Sequence, residues 1–344
     1  MSPPRPRPSL GYRSSANRSM RLPVVSVSTG RGVVMGFVSC LEDSPSVLME
    51  GALGERLKRE HRLHFDEHVA MASLVYSERG RAALCALWGE YADIAARYGL
   101  PFVATTPTRR ANRERVAASS HGSSIIQDNM AVLREVQQRH ASAPMYVGGL
   151  MGCRGDAYSG APGPSAAEAQ AFHSWQAELF ALAGADFLFA GIMPTLPEAV
   201  GMARAMAGSG LPYVISFMVR ADGALLDGTT VHEAIAAIDA SSETPPVCYM
   251  ANCVHPTVLH GALSQAFNRT SLVRSRFWGI QANAARLSPE ELDGATDLAT
   301  SDPDVLADEM MRLREDCGLR VFGGCCGTDG SHLEAIASRL GRCT

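Results

Sequence analysis

Short apolar runs alternate with alanine-rich stretches of helical spacing along most of this chain. The runs are apolar at consecutive positions, which is typical of strands that are buried on both faces. We predict eight strands, at residues 46–53, 101–106, 145–152, 186–192, 212–219, 247–254, 277–284 and 319–326. We predict helices between them at residues 76–98, 112–140, 165–183, 198–207 and 231–240. Doubly buried strands that are separated by helices indicate a parallel sheet.

The number of repeating units favours a closed sheet over an open one. Eight strand–helix units in a chain of 344 residues fit a (β/α)₈ barrel, which typically needs roughly 250 residues plus insertions. An open, doubly wound sheet would usually carry a glycine-rich phosphate turn after its first strand. The first predicted strand instead runs into Glu-Gly-Ala-Leu-Gly at 50–54. We therefore predict an α/β protein with one (β/α)₈ (TIM) barrel domain at residues 46–344.

The first 45 residues differ in composition from the rest. Arginines recur among Ser, Pro and Gly, and no acidic residue precedes Glu42. A start that is rich in arginine and serine can be an organelle transit peptide. A disordered tail, or an upstream start codon with Met20 or Met35 as the true beginning, explains the composition as well. We predict that residues 1–45 are a disordered or misassigned N-terminal extension outside the fold.

Composition narrows the range of partners. The net charge of −4 points to neither nucleic acid nor an anionic membrane, and no apolar run is long enough to span a bilayer. Nine cysteines in a long chain fit a reducing compartment better than a disulfide framework, so we predict a cytoplasmic protein. The sequence does not indicate an oligomeric state.

Three cysteines are the strongest candidates for chemistry. Cys253 lies at the end of the sixth predicted strand, and Cys325 and Cys326 lie at the end of the eighth. The carboxyl ends of barrel strands meet on one face, which carries the active site in this architecture. Three convergent thiolates make a tetrahedral zinc site with one open position, as catalytic zinc sites have. The alternative is that these residues are buried core thiols beside a glycine-rich turn.

The cysteine motifs, Gly-Gly-Cys-Cys-Gly-Thr at 323–328 and Asn-Cys-Val-His-Pro at 252–256, are similar to those of the homocysteine S-methyltransferase family. The resemblance extends from about residue 46 to residue 340. It implies a barrel in which Cys253, Cys325 and Cys326 hold Zn²⁺. It also implies methyl transfer from S-methylmethionine or S-adenosylmethionine to homocysteine, a reaction of methionine biosynthesis. Asn283 matches a position where the family often has an asparagine near the metal.

The chain departs from the family pattern where the substrate binds. Glu50-Gly51 replaces the usual Asp-Gly after the first strand. Gly191 stands where the family typically has a glutamate that holds the amino group of homocysteine. Thr106 is expected to contact the acceptor. Arg109 replaces a family aromatic, and it either adds positive charge near the mouth of the site or, as we expect, is a solvated start of the next helix. We predict that Glu50, Gly51, Thr106 and Asn283 bind substrate.

Two functional hypotheses follow. In the first, the zinc site accepts a small-molecule thiol or selenol and methylates it from a sulfonium donor. Zinc would deprotonate the thiol, so the transfer needs alignment more than a general base, and we predict no catalytic residue beyond the metal site. In the second, which the loss of the glutamate at 191 favours, the protein is a non-catalytic zinc-binding barrel with a binding or redox-sensing role.

Overall fold

Eight parallel strands close into a barrel in chain order, with β1 pairing with both β2 and β8. The strands are β1 (Val47–Met49), β2 (Phe102–Thr105), β3 (Met145–Gly152), β4 (Phe187–Met193), β5 (Tyr213–Phe217), β6 (Cys248–Val254), β7 (Phe277–Ala282) and β8 (Val321–Gly324). All eight lie within the predicted ranges or extend one residue beyond them, so the predicted TIM barrel is confirmed.

The computed structural model describes residues 1, 36–158, 163–286 and 300–341. Most of the predicted N-terminal extension, residues 2–35, lies outside the described residues. Within the described residues, no helix is both long and apolar enough to cross a bilayer.

Helix α1 precedes the first strand, and the other helices alternate with the strands. They are α1 (Phe37–Asp43), α2 (Gly54–Arg59), α3 (Glu78–Arg97), α4 (Arg113–Ala118), α5 (Ser124–Arg139), α6 (Ala166–Leu182), α7 (Leu196–Gly208), α8 (Val231–Asp239), α9 (Pro256–Leu263), α10 (Ser271–Arg276), α11 (Pro303–Arg312) and α12 (Gly330–Gly341). A 3₁₀ helix (Met71–Tyr76) precedes α3, and a π-helical turn (Leu313–Cys317) follows α11. Ser165 begins α6 with a capping box to Glu168, as its position after Pro164 predicts.

The prediction of one continuous helix between β2 and β3 is wrong. The stretch 112–140 forms two helices, α4 and α5, instead of one. Between them the hydroxyl of Ser119 accepts a hydrogen bond from the backbone of His121, and Gly122 follows. Serine side chains that bond the nearby backbone compete with helical hydrogen bonds, so the helix ends there.

Two apolar layers cover the inner and outer faces of the strands. One fills the barrel interior and includes Val103, Phe189 and Met250. The other lies between the outer faces of the strands and the helices, and it includes Leu48, Trp88 and Phe322. A strand that contributes side chains to both layers has no polar face, which explains the apolar runs of the sequence.

The packed part of the chain begins before residue 46. Helix α1 lies within the range that we assigned to the tail, and its Phe37 is buried. The Phe37 ring stacks on Phe187, with centroids 4.0 Å apart, and meets the edge of Tyr146. Helix α1 therefore belongs to the same core as the barrel interior.

Candidate metal centre

The three cysteines of the two motifs converge at the carboxyl ends of β6 and β8. The sulfur atoms of Cys253, Cys325 and Cys326 all lie within 4.8 Å of one another. Cys253 Sγ and Cys325 Sγ are 2.6 Å apart. Three thiols in this arrangement fit a single thiophilic metal ion.

Cys253 reaches the cluster through an irregularity in β6. The register with β7 shifts between Asn252 and Val254, and the backbone of Cys253 is left-handed with φ of 54°. A β-bulge of this kind re-aims a side chain at the end of a strand. A left-handed conformation is unfavourable for a residue with a Cβ, and such strained residues cluster at functional sites. Here the strained residue is the one that brings β6 to the cysteine cluster.

The turn after β8 presents the other two thiols. Its backbone joins β7, because Cys325 N donates to Ala282 O at 2.6 Å and Ala284 N donates to Cys326 O at 2.9 Å. Gly324 packs against Thr328, whose Oγ1 would lie 2.2 Å from an added Cβ. Gly327 has a left-handed φ of 79°. One glycine therefore permits close packing and the other permits the turn.

The cluster readily holds one negative charge. Hydrogen bonds from the thiols of Cys325 and Cys326 lower the pKa of Cys253 well below its usual value. Hydrogen bonding to the Cys253 sulfur raises the pKa of Cys325 and of Cys326. A thiolate stabilised by two neighbouring thiols follows from these shifts. A cation must displace the remaining protons, so metal affinity should increase with pH.

The cysteines line a cavity of about 510 Å³ at this end of the barrel. This volume lies in the range of small-molecule sites. Its walls include Leu53, Phe65, Met71, Leu150 and Ile192, together with the polar side chains discussed below. An apolar cavity with a few convergent polar groups is the form of a ligand site.

Glu50, predicted to bind substrate, lies on the cavity wall and is buried. Its Oε1 accepts hydrogen bonds from the backbone and hydroxyl of Thr105, at 3.0 and 2.5 Å. Its Oε2 accepts from Trp88 Nε1 at 2.9 Å. Burial raises the pKa of Glu50 to about 7, against the effect of these hydrogen bonds. The carboxyl group is therefore fixed in position and titrates near neutral pH.

Of the other predicted substrate residues, Gly51 also lines the cavity, whereas Thr106 and Asn283 are not among the residues that line it. The Thr106 hydroxyl instead contacts Thr108 at 2.8 Å and accepts from the backbone of Leu150 at 3.2 Å, which ties β2 to β3. Thr105 takes the place on the cavity wall that we predicted for Thr106.

Asn283 lies directly after β7, next to the backbone that carries the three cysteines. Its N–H donates to Val254 O at 3.1 Å. The side-chain amide is buried, and within the described residues it has no hydrogen-bond partner. The structure thus places the backbone of Asn283 at the site. The predicted binding of substrate by Asn283 stays a prediction.

Arg109 is not the solvated helix start that we predicted. It lies in the loop before α4 and lines the cavity beside the cysteines. Burial acts to lower its pKa, but the nearby Tyr158 and Cys253 outweigh this effect and the pKa is raised. The side chain is therefore charged. The replacement of a family aromatic by arginine was the available signal for this residue.

Tyr158, in the loop after β3, is a further cavity residue that sequence reasoning missed. Its side chain packs beside Cys253, and burial together with Cys253 raises the Tyr158 pKa. It lies in a loop without regular structure, so no periodic pattern marked it.

The end of β4 has a second left-handed residue. Ile192 has φ of 62°, and the register with β5 shifts between Ala190 and Met193. Ile192 lines the cavity and packs in a small cluster with Cys253. At the preceding position, a Cβ on Gly191 would lie 2.6 Å from Leu150 Cδ1. Leu150 thus fills the space in which the family's glutamate would begin.

The family model described as homocysteine S-methyltransferase matches residues 47–340. Among solved structures, the metallated form of the homocysteine methyltransferase MmuM from Escherichia coli is similar, with a TM-score of 0.70 and 20% identity over 88% of this chain and 98% of that one. Its oxidized form has a TM-score of 0.67 and 21% identity over 87% of this chain and 97% of that one. No curated protein gave a significant match. Since the family model covers nearly the whole barrel, the chain belongs to the homocysteine S-methyltransferase family and is a methyltransferase.

Proposed function

We propose that this protein is a zinc-dependent S-methyltransferase that moves a methyl group from a sulfonium donor to homocysteine or a related thiol or selenol. The observation that carries the proposal is the convergence of three thiols from two distant strand ends on one cavity. The E. coli relative has a metallated form, which supports a metal in this protein as well. The donor is S-methylmethionine or S-adenosylmethionine.

The three cysteines form the metal site in this proposal. Zinc held by Cys253, Cys325 and Cys326 would supply the Lewis acidity that keeps an acceptor thiol deprotonated at neutral pH. Cys253 contributes the thiolate that the cluster already favours. Tyr158, which packs beside Cys253, would help to position that ligand in the cavity.

The methyl transfer itself places few chemical demands on the chain. The acceptor sulfur forms a bond to the methyl carbon while the bond from that carbon to the sulfonium sulfur breaks, and the donor leaves as a neutral thioether. No proton moves in this step once the thiol is deprotonated. The cavity therefore acts by alignment and by excluding water, which its apolar walls at Leu150, Ile192 and Phe65 favour.

The experiment combines metal analysis with methyl transfer. Wild-type protein should contain about one zinc per chain, and Cys325→Ala should lose both the zinc and methyl transfer to homocysteine, since two remaining sulfurs hold zinc weakly. Cys85→Ala is the matched control, because Cys85 is a half-buried thiol on α3 away from the cavity. Circular dichroism of each variant establishes that the fold is retained.

Two results separate the proposal from its alternative, a non-catalytic zinc-binding barrel. Zinc whose fourth ligand exchanges with added thiol, together with methylated product, supports the enzyme. Stoichiometric zinc that no thiol perturbs, with no product from either sulfonium donor, supports the binding or redox-sensing role and contradicts our proposal. The apolar contact between Leu150 and the Gly191 position is the observation that favours testing acceptors other than homocysteine.

A further inference from the structure

A positive charge stands beside the cysteine cluster without a carboxylate partner. Arg109 lines the same cavity as Cys253 and Cys325. Across the described residues, no carboxylate forms an ion pair with it. A buried or half-buried charge without a partner is costly, and a ligand anion is one way to satisfy it.

The placement of Arg109 depends on a close packing contact. A Cβ at Gly152 would lie 2.5 Å from Arg109 Cγ and 2.6 Å from its carbonyl oxygen. Only a residue without a side chain at the end of β3 lets the loop and the arginine stem approach so closely. The side chain is thus held over the strand end on the cavity side and is not free to extend into solvent.

Of the three acidic residues that line the cavity, Glu67 is exposed and forms no ion pair with Arg109 across the described residues, and the other two are engaged by the protein. Glu50 accepts three hydrogen bonds from Thr105 and Trp88. Glu55 accepts from the backbone N–H of Gly327 at 2.5 Å. Both are therefore held by groups other than Arg109.

The opposite wall of the cavity, at Gly191, has no carboxylate. Gly191 carries no carboxylate, and Leu150 occupies the space beside it, so this wall offers an acceptor ammonium group no partner. An unpaired cation near the cysteines and an apolar wall at Gly191 together select for an anionic ligand.

Resting on the proposed function, we propose that Arg109 determines specificity by pairing with an anionic group, such as a carboxylate, on the acceptor thiol. The acceptor class is then small thiols or selenols that carry an anion and need no ammonium group. The anion belongs to the acceptor, because Arg109 lies beside the cysteines where the acceptor sulfur binds. A guanidinium pairs with a carboxylate through two parallel hydrogen bonds, which fixes orientation as well as charge.

The test compares matched acceptors in matched variants. 3-Mercaptopropionate and 3-mercaptopropanamide differ in charge but hardly in shape. Wild-type kcat/KM should favour the carboxylate, and Arg109→Gln should reduce that preference by about 10- to 100-fold, the range of a charge-assisted hydrogen bond. Arg109→Lys should retain part of it. Arg113→Gln, which removes the same charge from an exposed position in the same segment, should leave the preference unchanged.

A second arm distinguishes the donor as the source of the anion. S-methylmethionine and its carboxamide differ in the carboxylate that only the first carries. If Arg109→Gln abolishes discrimination between these donors and leaves discrimination between the acceptors intact, the assignment to the acceptor is overturned.

A binding measurement separates this inference from the proposed function. Calorimetry with 3-(methylthio)propionate and its amide requires neither a free thiol nor turnover. Tighter binding of the carboxylate in wild type, lost in Arg109→Gln, supports the anion site even if no thiol is methylated. Methylation of both acceptors with the same preference in wild type and Arg109→Gln overturns the inference and leaves the proposed function standing.

Discussion

Glu50 makes the stability of this protein depend on pH in a direction opposite to that of a salt-bridged carboxylate. The side chain is buried on the cavity wall, and burial raises its pKa from 4.5 to about 7. Between these two values folded Glu50 keeps its proton while unfolded Glu50 has released it. The contribution of Glu50 to the free energy of unfolding should therefore be greatest below pH 4.5 and fall as the pH rises from 4.5 to about 7.

The size of this change in stability follows from the shift in the pKa of Glu50. A change from 4.5 to about 7 corresponds to about 3 kcal/mol, at about 1.4 kcal/mol for each pH unit. Hydrogen bonds from Thr105 and Trp88 to the carboxylate already offset part of the burial cost. Glu50→Gln keeps the shape of the side chain and removes its titration, so the variant should lack this pH dependence.

The assay is urea unfolding of wild type and Glu50→Gln from pH 4.5 to pH 8, followed by circular dichroism. Other titrating groups contribute equally to both proteins, so they cancel in the difference between the two unfolding free energies. That difference should move by about 3 kcal/mol across the range, with wild type losing stability relative to the variant as the pH rises. Parallel curves for the two proteins would refute the assignment of a raised pKa to Glu50.

Two further predictions concern packing. Gly191→Ala should lower the free energy of unfolding by at most about 1 kcal/mol, because its Cβ meets only Leu150 Cδ1, the end of a half-buried side chain that lines the cavity. Adding Leu150→Ala should relieve that cost, as a double-mutant cycle in urea would measure, and strictly additive effects would contradict the contact. Phe37→Ala should cost about 3 kcal/mol through loss of its stacking on Phe187, measured by thermal or urea unfolding. A change below about 0.5 kcal/mol, the usual size for surface substitutions, would mean that α1 is not part of the barrel core.

Much of the fold could be predicted because its signals are local. The strands appear as apolar runs, since each is covered on both faces, and the glycine-rich turn marks the position of Cys325 and Cys326. Closure of the sheet into a barrel followed from the eight strand–helix units that the sequence shows. Convergence of the three thiols then followed from the parallel direction of the strands, which brings their carboxyl ends to one face.

The substrate side of the site was predicted less well because neighbouring residues at a strand end point in different directions. Thr105 lines the cavity while Thr106, one residue later, joins β2 to β3. Arg109 was expected in solvent, and the close contact with Gly152 that holds it over the cavity involves residues 43 positions apart. No local pattern encodes such a contact.

The sequence by itself determined the strand order, the closed barrel and the three thiols that gather at its carboxyl end. These features depend on side-chain periodicity and on residue types that cannot be exchanged, namely cysteine as a ligand and glycine in a tight turn. Only the tertiary structure decided which side chains face the cavity. Left-handed bulges at Cys253 and Ile192 re-aim the ends of β6 and β4, and the packing of Leu150 and Arg109 against glycines sets the charge of the pocket. Both depend on the register between neighbouring strands, where a shift of one residue turns a side chain to the other face.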